Sequence, residues 1–541
     1  MQQQKSYMRP LKKGVVRLHG PLGNAMDRMI SGRLKRLDYP LLTEPFRLRN
    51  ESDGYWRCEF WGKTIRSLVY AWRSTQDPEL AEILRKTVAA MLETQTPDGR
   101  ITSYPPHMQL KGWDIWGRKY VLLGLLAYYQ EFEQDPAVLK ALTAMLDDLL
   151  QSQKNIQDCG EHFGIAASSI LRAIVEIGEI SGDQKYIEAA NALANTGCCY
   201  LHNVFNAARI GASPSEIADG KAYELTSCFQ GLCALYRHTG DAEMQDAVIK
   251  YFEKVRDEEI FITGCGGLKD NNGEFWYHGK DRQMLRNAGG MGETCVTVTW
   301  IWFCENILKM TGSSIAADEI ERSSYNALLG SLMPDGSNVA HINPFLDDGW
   351  KLPSFDQIGR KINGSFDGHD CCRAQAPYGF TAAPMTAVME TESGYAVNLY
   401  ENLTAENVLH IEGNYPLNGK VRIVLDHCGT FELALRIPTD FGCKVNGKTV
   451  SCGSYYRLQK DWQAGDVVEM EFDMTLRKVT DPSGKWYALC KGPLLMCREN
   501  LPADSAKRTY LQEESGLVDY ASAGMDFSPE NNFKVWIPVQ E

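Results

Sequence analysis

The chain has 541 residues, 44% of them hydrophobic and 23% charged, which is the composition of a globular protein with two or three domains, not of a disordered one. A net charge of −13 argues against nucleic acid, whose binding demands a basic face, and against anionic membrane surfaces. No apolar run long enough for a bilayer-spanning helix is present. The sixteen cysteines are scattered, several within apolar helical runs (Cys228, Cys233, Cys304), the pattern of reduced thiols. The first twenty residues have a charged start but no apolar core and no cleavage site. The expected compartment is the cytoplasm, or the periplasm if a signal peptide has been removed ahead of residue 1.

From about residue 58 to 330 the text is helical and repetitive. Each unit is an apolar-periodic helix, a short turn and a second amphipathic helix. The turns centre on Asp77-Pro78, Asp135-Pro136, Gly182-Asp183, Gly240-Asp241 and Gly312-Ser313, where Asp, Gly and Pro stop one helix and cap the next. A helix hairpin that cannot bury its own face must stack on neighbours. The uneven spacing fits a closed toroid better than an open solenoid, because inserts become rim loops. Trp56, Trp61, Trp72, Trp113, Trp116 and Trp276 fall in or beside the repeats. Most are expected to pack the core, and some to line a central pocket as aromatic rings do in sugar sites.

After about residue 385 the period changes from 3.6 to 2. Apolar and polar residues alternate over 396–400, 421–425, 431–437, 455–459 and 467–472, and Val445-Asn446-Gly447-Lys448 is a two-residue hairpin signal. That pattern predicts an antiparallel sandwich. Strand-like pieces at 486–490 and 493–496 precede a polar tail. The expected organisation is a lead-in and helical barrel over 1–382, a β-sandwich over 383–480 and a β-rich C-terminal segment over 481–541.

Two clusters carry metal-ligand chemistry. Glu293-Thr294-Cys295 follows Gly289-Gly290-Met291-Gly292 and precedes an amphipathic helix, so it sits at a helix N-terminus, where the dipole lowers a thiol's pKa. Cys371-Cys372 follows a loop of turn residues from Gly364 to Asp370. Adjacent cysteines rarely bridge each other, because S–S geometry strains a single peptide unit. Three thiols and a carboxylate make a zinc-type set. Spacing alone leaves a structural staple and a catalytic centre both open, although Glu-x-Cys fits a zinc ribbon poorly. In Gly273-Glu274-Phe275-Trp276 a carboxylate lies between a glycine and two aromatics, where desolvation raises a pKa toward general-acid use; most glutamates so placed are solvated loop residues. Glu59 is a further carboxylate among aromatics. His369, two residues before Cys371, suits a pocket donor or a partner to the metal ligands.

Taken in order, Gly273-Glu274, Glu293-Thr294-Cys295 and Cys371-Cys372, set after a helical repeat region and before a sandwich, resemble glycoside hydrolase family 127, the β-L-arabinofuranosidase family. The resemblance covers most of the chain, including Glu59-Phe60-Trp61-Gly62-Lys63 and the stretches 92–99, 433–438 and 462–466. It implies an (α/α)6 barrel followed by an antiparallel β-sandwich, and Zn2+ held by Glu293, Cys295, Cys371 and Cys372. It also implies a retaining mechanism, with Cys371 as nucleophile and Glu274 as general acid/base; Glu293 is the rival nucleophile. The candidates for holding the sugar are His369, Glu59, Trp61, Tyr120, His341 and Arg373.

The chain departs from the family in the sugar-contact shell. Tyr120, Ala167 (beside Ser168 and Ser169) and a residue near Gln230 stand where the family carries histidines, and Arg373-Ala374-Gln375 follows the cysteine pair instead of Pro-Pro-Asn. Such changes alter specificity more than reaction type. The expectation is an exo-acting glycosidase for β-L-arabinofuranosides or related furanosides. Its partner would be a small oligosaccharide or glycoside, with no nucleic acid or membrane, and with room for a homodimer. Arg118, Lys119 and Arg373 leave an alternative, an acidic pectin-derived sugar such as aceric acid. Two others are an (α/α)-barrel uronide-active enzyme whose zinc is only structural and a non-catalytic carbohydrate-binding protein.

Overall fold

The computed structural model describes residues 7–51, 56–268, 273–284, 292–343, 352–353, 370–499, 516–525 and 533–539. Six helices form an inner ring: Phe60–Thr75, Asp114–Ala127, Leu171–Ser181, Ala222–Thr239, Thr294–Thr311 and Cys371–Phe380. Each packs on the next, and the last returns to the first, so the ring closes. Their composition explains the inner position. Asp114–Ala127 is buried along its whole length, and Ala222–Thr239 and Thr294–Thr311 nearly so; their residues are mostly apolar, so they have no broad face to offer water, and buried charges such as Asp114 and Arg118 pair with each other. Outer helices such as Pro78–Leu92, Pro136–Ser152, Gln184–Thr196 and Ala242–Glu258 bury one stripe and solvate the other, whereas the outer helix Ser314–Ser323 is mostly buried.

The turns anticipated from sequence are the hairpin connections. Asp77, Asp135, Asp183 and Asp241 each accept the backbone N–H two residues on, at 2.8, 2.8, 3.1 and 2.7 Å. Each such cap stabilises its helix by about 1 kcal/mol. Gly182, Gly240 and Gly312 end the preceding helices at φ of 71, 62 and 68°, the left-handed region where a Cβ would be strained.

The sandwich strands also lie near where the alternation puts them, at Gly394–Val397, Lys420–Leu425, Gly429–Ile437, Ser454–Trp462 and Val467–Phe472. Cys443–Val445 and Lys448–Val450 pair through Asn446 and Gly447, both at positive φ, as a type I′ hairpin requires. They build a five-stranded and a seven-stranded sheet. Two details differ from the sequence reading. Gly394–Val397 runs parallel to Gly429–Ile437 within an otherwise antiparallel set. The lead-in contributes Arg9–Pro10 to one sheet and Val16–Leu18 to the other, strands too short to carry a period. A third, six-stranded sheet runs from Leu476–Thr480 to Ile537–Pro538 and packs through Leu495, Cys497 and Val518 against Phe261 and Ala327 of the helical region. All sixteen cysteines are free, and among the described residues no helix is long and apolar enough to cross a membrane.

Arg436, fully buried on Gly429–Ile437, ties the sandwich to the barrel. Its Nη2 lies 2.7 Å from Glu321 Oε1, its Nε donates to the Asn398 carbonyl at 2.6 Å, and its Nη1 pairs with Asp318. Both carboxylates belong to the outer helix Ser314–Ser323. Removing the cation strands a buried carboxylate. Arg436→Ala is therefore expected to destabilise the protein by about 3–5 kcal/mol, measured as a fall in the thermal unfolding midpoint; an unchanged midpoint would refute the tie.

Candidate active site and metal centre

The two ligand clusters sit at helix N-termini that converge. Glu293 is extended (φ −67°, ψ 133°), bridges to Ile342 and caps Thr294–Thr311, so Cys295 falls in that helix's first turn. Asp370 caps Cys371–Phe380, accepting the Arg373 N–H at 2.8 Å, and the adjacent cysteines open that helix. Two positive helix ends thus face the same point, which favours thiolate and carboxylate.

Cys372 Sγ lies 3.5 Å and Cys371 Sγ 3.8 Å from Glu293 Oε1, and the two sulfurs are 4.0 Å apart. One ligand atom from each of Glu293, Cys295, Cys371 and Cys372 lies within 4.8 Å of all the others. A tetrahedral ion with metal–sulfur and metal–oxygen bonds of about 2.3 and 2.0 Å needs S–S edges of about 3.8 Å and S–O edges of about 3.5 Å. The donor set fits such an ion. Electrostatics point the same way. Burial pushes the Glu293 carboxyl well up, and Glu274 and Cys371 push it further. The neighbouring Cys295 sulfur and burial also raise the Cys371 thiol. Four acidic groups packed this closely stay ionised together only with a cation among them.

Glu274 reaches the same place by another route. Phe275 bridges to Lys221 and Leu268, the Ala222 N–H donates to the Glu274 carbonyl at 2.9 Å, and the Trp276 N–H to that of Gly220 at 2.7 Å. This register sets the Glu274 side chain beside Lys221, with which it forms an ion pair. Burial alone would raise the Glu274 carboxyl, but the Lys221 ammonium holds it below the usual range. His341, on the strand Ala340–Ile342, lies within 4.8 Å of the Glu274 and Glu293 carboxylates, and although burial works against the charged ring, the Cys371 sulfur and the carboxylates near it raise its pKa.

Cys371, Glu274 and Glu293 open onto a pocket of about 100 Å³. Trp56, Trp113 and Trp116 wall it, and Glu59, Lys63, Lys221, Tyr223 and Glu224 supply polar groups. Apart from Glu274, these residues come from the N-terminal ends of inner helices or the turns just ahead of them. Glu59 accepts the Trp116 indole N–H and lies 2.8 Å from Lys63 Nζ.

The sugar-contact candidates divide. Glu59 lines the pocket, and His341 stands at its reactive sulfur. Trp61 does not line it: two residues along a helix is a turn of about 200°, and its indole N–H donates outward to Thr87 Oγ1 at 3.0 Å. Tyr120 lies beneath the pocket, its hydroxyl bonded to that of Tyr223. Arg373 is drawn off to Asn338 Oδ1 at 2.6 Å, near Asp370, and Arg118 to Asp114 and Asp148 at 2.9 and 3.1 Å. His369 lies outside the described residues. Sequence reasoning missed Lys63, Lys221, Tyr223 and Glu224 as pocket residues. Lys63 was within reach, four residues from Glu59 on one helix face. Lys221 gives no local sign, because its partner is far along the chain.

Residues 25–381 match the family model for the beta-L-arabinofuranosidase GH127 catalytic domain, and residues 395–474 that for the GH127 middle domain. The chain is 22% identical over 504 residues to a non-reducing end beta-L-arabinofuranosidase of Bifidobacterium longum subsp. longum, with 81% of this chain and 75% of that one covered. Two solved structures share the fold. One is a GH127 beta-arabinofuranosidase, at TM-score 0.76 and 18% identity over 99% of this chain and 98% of that one. The other is a GH127 beta-L-arabinofuranosidase of Geobacillus stearothermophilus T6, at TM-score 0.72 and 17% identity over 97% and 100%.

Proposed function

The chain belongs to glycoside hydrolase family 127, the β-L-arabinofuranosidase family, and within that hydrolase activity we propose a retaining exo-glycosidase that releases β-L-arabinofuranosyl or closely related furanosyl units. One observation carries the reading: Cys371, a member of the metal-ligand set, and Glu274, a carboxylate at its edge, line the same pocket. A purely structural zinc is closed on all sides by its ligands; here one ligand sulfur faces an open cavity. That cavity is far smaller than the roughly 300–1,000 Å³ of drug-sized pockets, which suits a single terminal sugar ring.

Zn2+ held by Glu293, Cys295, Cys371 and Cys372 would supply the charge that keeps the sulfurs ionised at neutral pH. The Cys371 sulfur attacks the anomeric carbon while Glu274, which must first take up a proton against the pull of Lys221, gives that proton to the departing oxygen; the S–C bond forms as the C–O bond breaks. Glu274, now a carboxylate, takes a proton from the water that attacks the same carbon, and the sulfur leaves. Two inversions restore the configuration. Lys221 favours the base form of Glu274 that the second step needs, and His341 orients the Cys371 sulfur. The three tryptophans offer apolar walls to the ring.

The acidic-sugar alternative loses its carriers, since Arg118 and Arg373 are engaged away from the pocket and Lys119, which does not line it, donates to Ser169 Oγ at 3.0 Å. The cations that do line it, Lys63 and Lys221, each face a carboxylate. A neutral furanoside is the reading the pocket favours.

A panel of p-nitrophenyl β-L-arabinofuranoside, its α anomer and pectic oligosaccharides, run with metal analysis, tests this. The expected result is release from the β-furanoside by protein carrying about one zinc per chain. Full activity in demetallated protein would remove the metal from the reaction, and silence toward every furanoside would remove the substrate assignment.

A further inference from the structure

Below the sugar pocket the hydroxyls of Tyr120 and Tyr223 bond to each other inside the ring. They form a partition, and on its far side lies a second chamber of about 10 Å³, room for one water molecule or one small ion. Its wall is rich in donors and positive charge. Arg66, 7% exposed, lies with its guanidinium carbon 4.0 Å from the centre of the Tyr378 ring, and among the described residues no carboxylate or carbonyl is bonded to it. Arg172 pairs with Glu176 through Nε at 2.7 Å, but its Nη1 is buried without a hydrogen-bond partner, as is the Tyr378 hydroxyl. Lys119 Nζ donates to Ser169 Oγ at 3.0 Å. The acceptors that line the chamber, on Gln230, Gln375 and serine hydroxyls, are all neutral.

A buried guanidinium without a counter-charge is expensive. A water molecule could give one hydrogen to Gln375 Oε1, which is buried without a hydrogen-bond partner, but being neutral it leaves the charge of Arg66 unbalanced. A monatomic anion accepts from every side and cancels that charge. We propose that this inner chamber is a halide site, chloride in size, seated between Arg66 and Arg172. The ion stands apart from the metal cluster and from the groups that carry the reaction. It braces the tyrosine partition that forms the pocket floor.

Metal-loaded enzyme crystallised with bromide as the sole halide, and measured at the bromine absorption edge, tests the proposal. An anomalous peak in the chamber within contact of Arg66 and Arg172 is expected; a chamber without one refutes the site. In solution, replacing gluconate by chloride at equal ionic strength is expected to raise Tm by about 2 °C in the native protein, as a ligand bound well above its Kd does. Arg66→Met should lose that shift and Arg66→Lys, which keeps the charge, should retain part of it. The same shift in the native protein and Arg66→Met would mark a bulk salt effect and count against the site. If Arg66→Met does not fold, the bromide map decides alone.

Discussion

Cys371→Ser is expected to lower kcat on a β-L-arabinofuranoside by on the order of 10⁴-fold or more while leaving the fold intact. A serine hydroxyl fills nearly the same space but stays protonated at neutral pH, so no nucleophile faces the anomeric carbon. Glu293, Cys295 and Cys372 remain to hold the proposed metal, so the variant is expected to keep much of it, which separates lost chemistry from lost binding. Geometry favours sulfur over the rival Glu293 carboxylate. Glu293 is 2% exposed, with Oε1 at 3.5 and 3.8 Å from two sulfurs, whereas Cys372 and Cys295 are fully buried and only Cys371 of the four is partly open. Peptide mass spectrometry of native enzyme stopped during turnover of a slow substrate should find the glycosyl mass on the peptide containing Cys371. A glycosyl mass on the Glu293 peptide, or activity of the serine variant within tenfold of native, would transfer the role to Glu293.

Much of the barrel was legible because helix punctuation is local. Asp77, Asp135, Asp183 and Asp241 cap within two residues of themselves, so their meaning survives without the rest of the fold. The run from Tyr120 to Ala127, which has no charged residue, likewise announces an inner helix. The residues of the four-member cluster that could hold a metal were singled out by type and order along the chain; adjacency of cysteines alone is no sign, since Cys198 and Cys199 are also neighbours and lie outside the cluster. What escaped was whatever depends on direction or on distant pairing. Arg118 and Arg373 looked like substrate-facing cations, yet each has its carboxylate nearby on its own helix or cap, Asp114 four residues back and Asp370 three back. Those spacings were in the sequence and argue for a structural pair. Lys221 and Glu274 meet only because residues 273–276 run alongside the start of Ala222–Thr239, a register no local pattern encodes. The Tyr120–Tyr223 partition likewise joins two different inner helices.

Glu274→Gln should produce the second large effect, and one that depends on the leaving group. With a disaccharide, whose leaving alkoxide needs a proton, kcat/KM is expected to fall by on the order of 10²–10⁴-fold. With a p-nitrophenyl glycoside the leaving group departs without help, so kcat/KM should change little while kcat falls, because no base activates the water that frees Cys371. Azide needs no base. It is expected to restore kcat with the aryl substrate and to yield a β-furanosyl azide, retention that only a two-step path through an enzyme-bound sugar explains. The substitution also strips Lys221 of its counter-charge, so some loss of stability is expected from a buried ammonium left alone. The double variant Lys221→Met/Glu274→Gln separates that penalty from the chemistry: it should recover thermal stability but not turnover of the disaccharide. If both substrates lose activity equally and azide does nothing, Glu274 positions the substrate instead of moving a proton. If the disaccharide is still cleaved at the native rate, the acid/base lies elsewhere in the pocket, and Glu224, buried at its wall, is the next carboxylate to test.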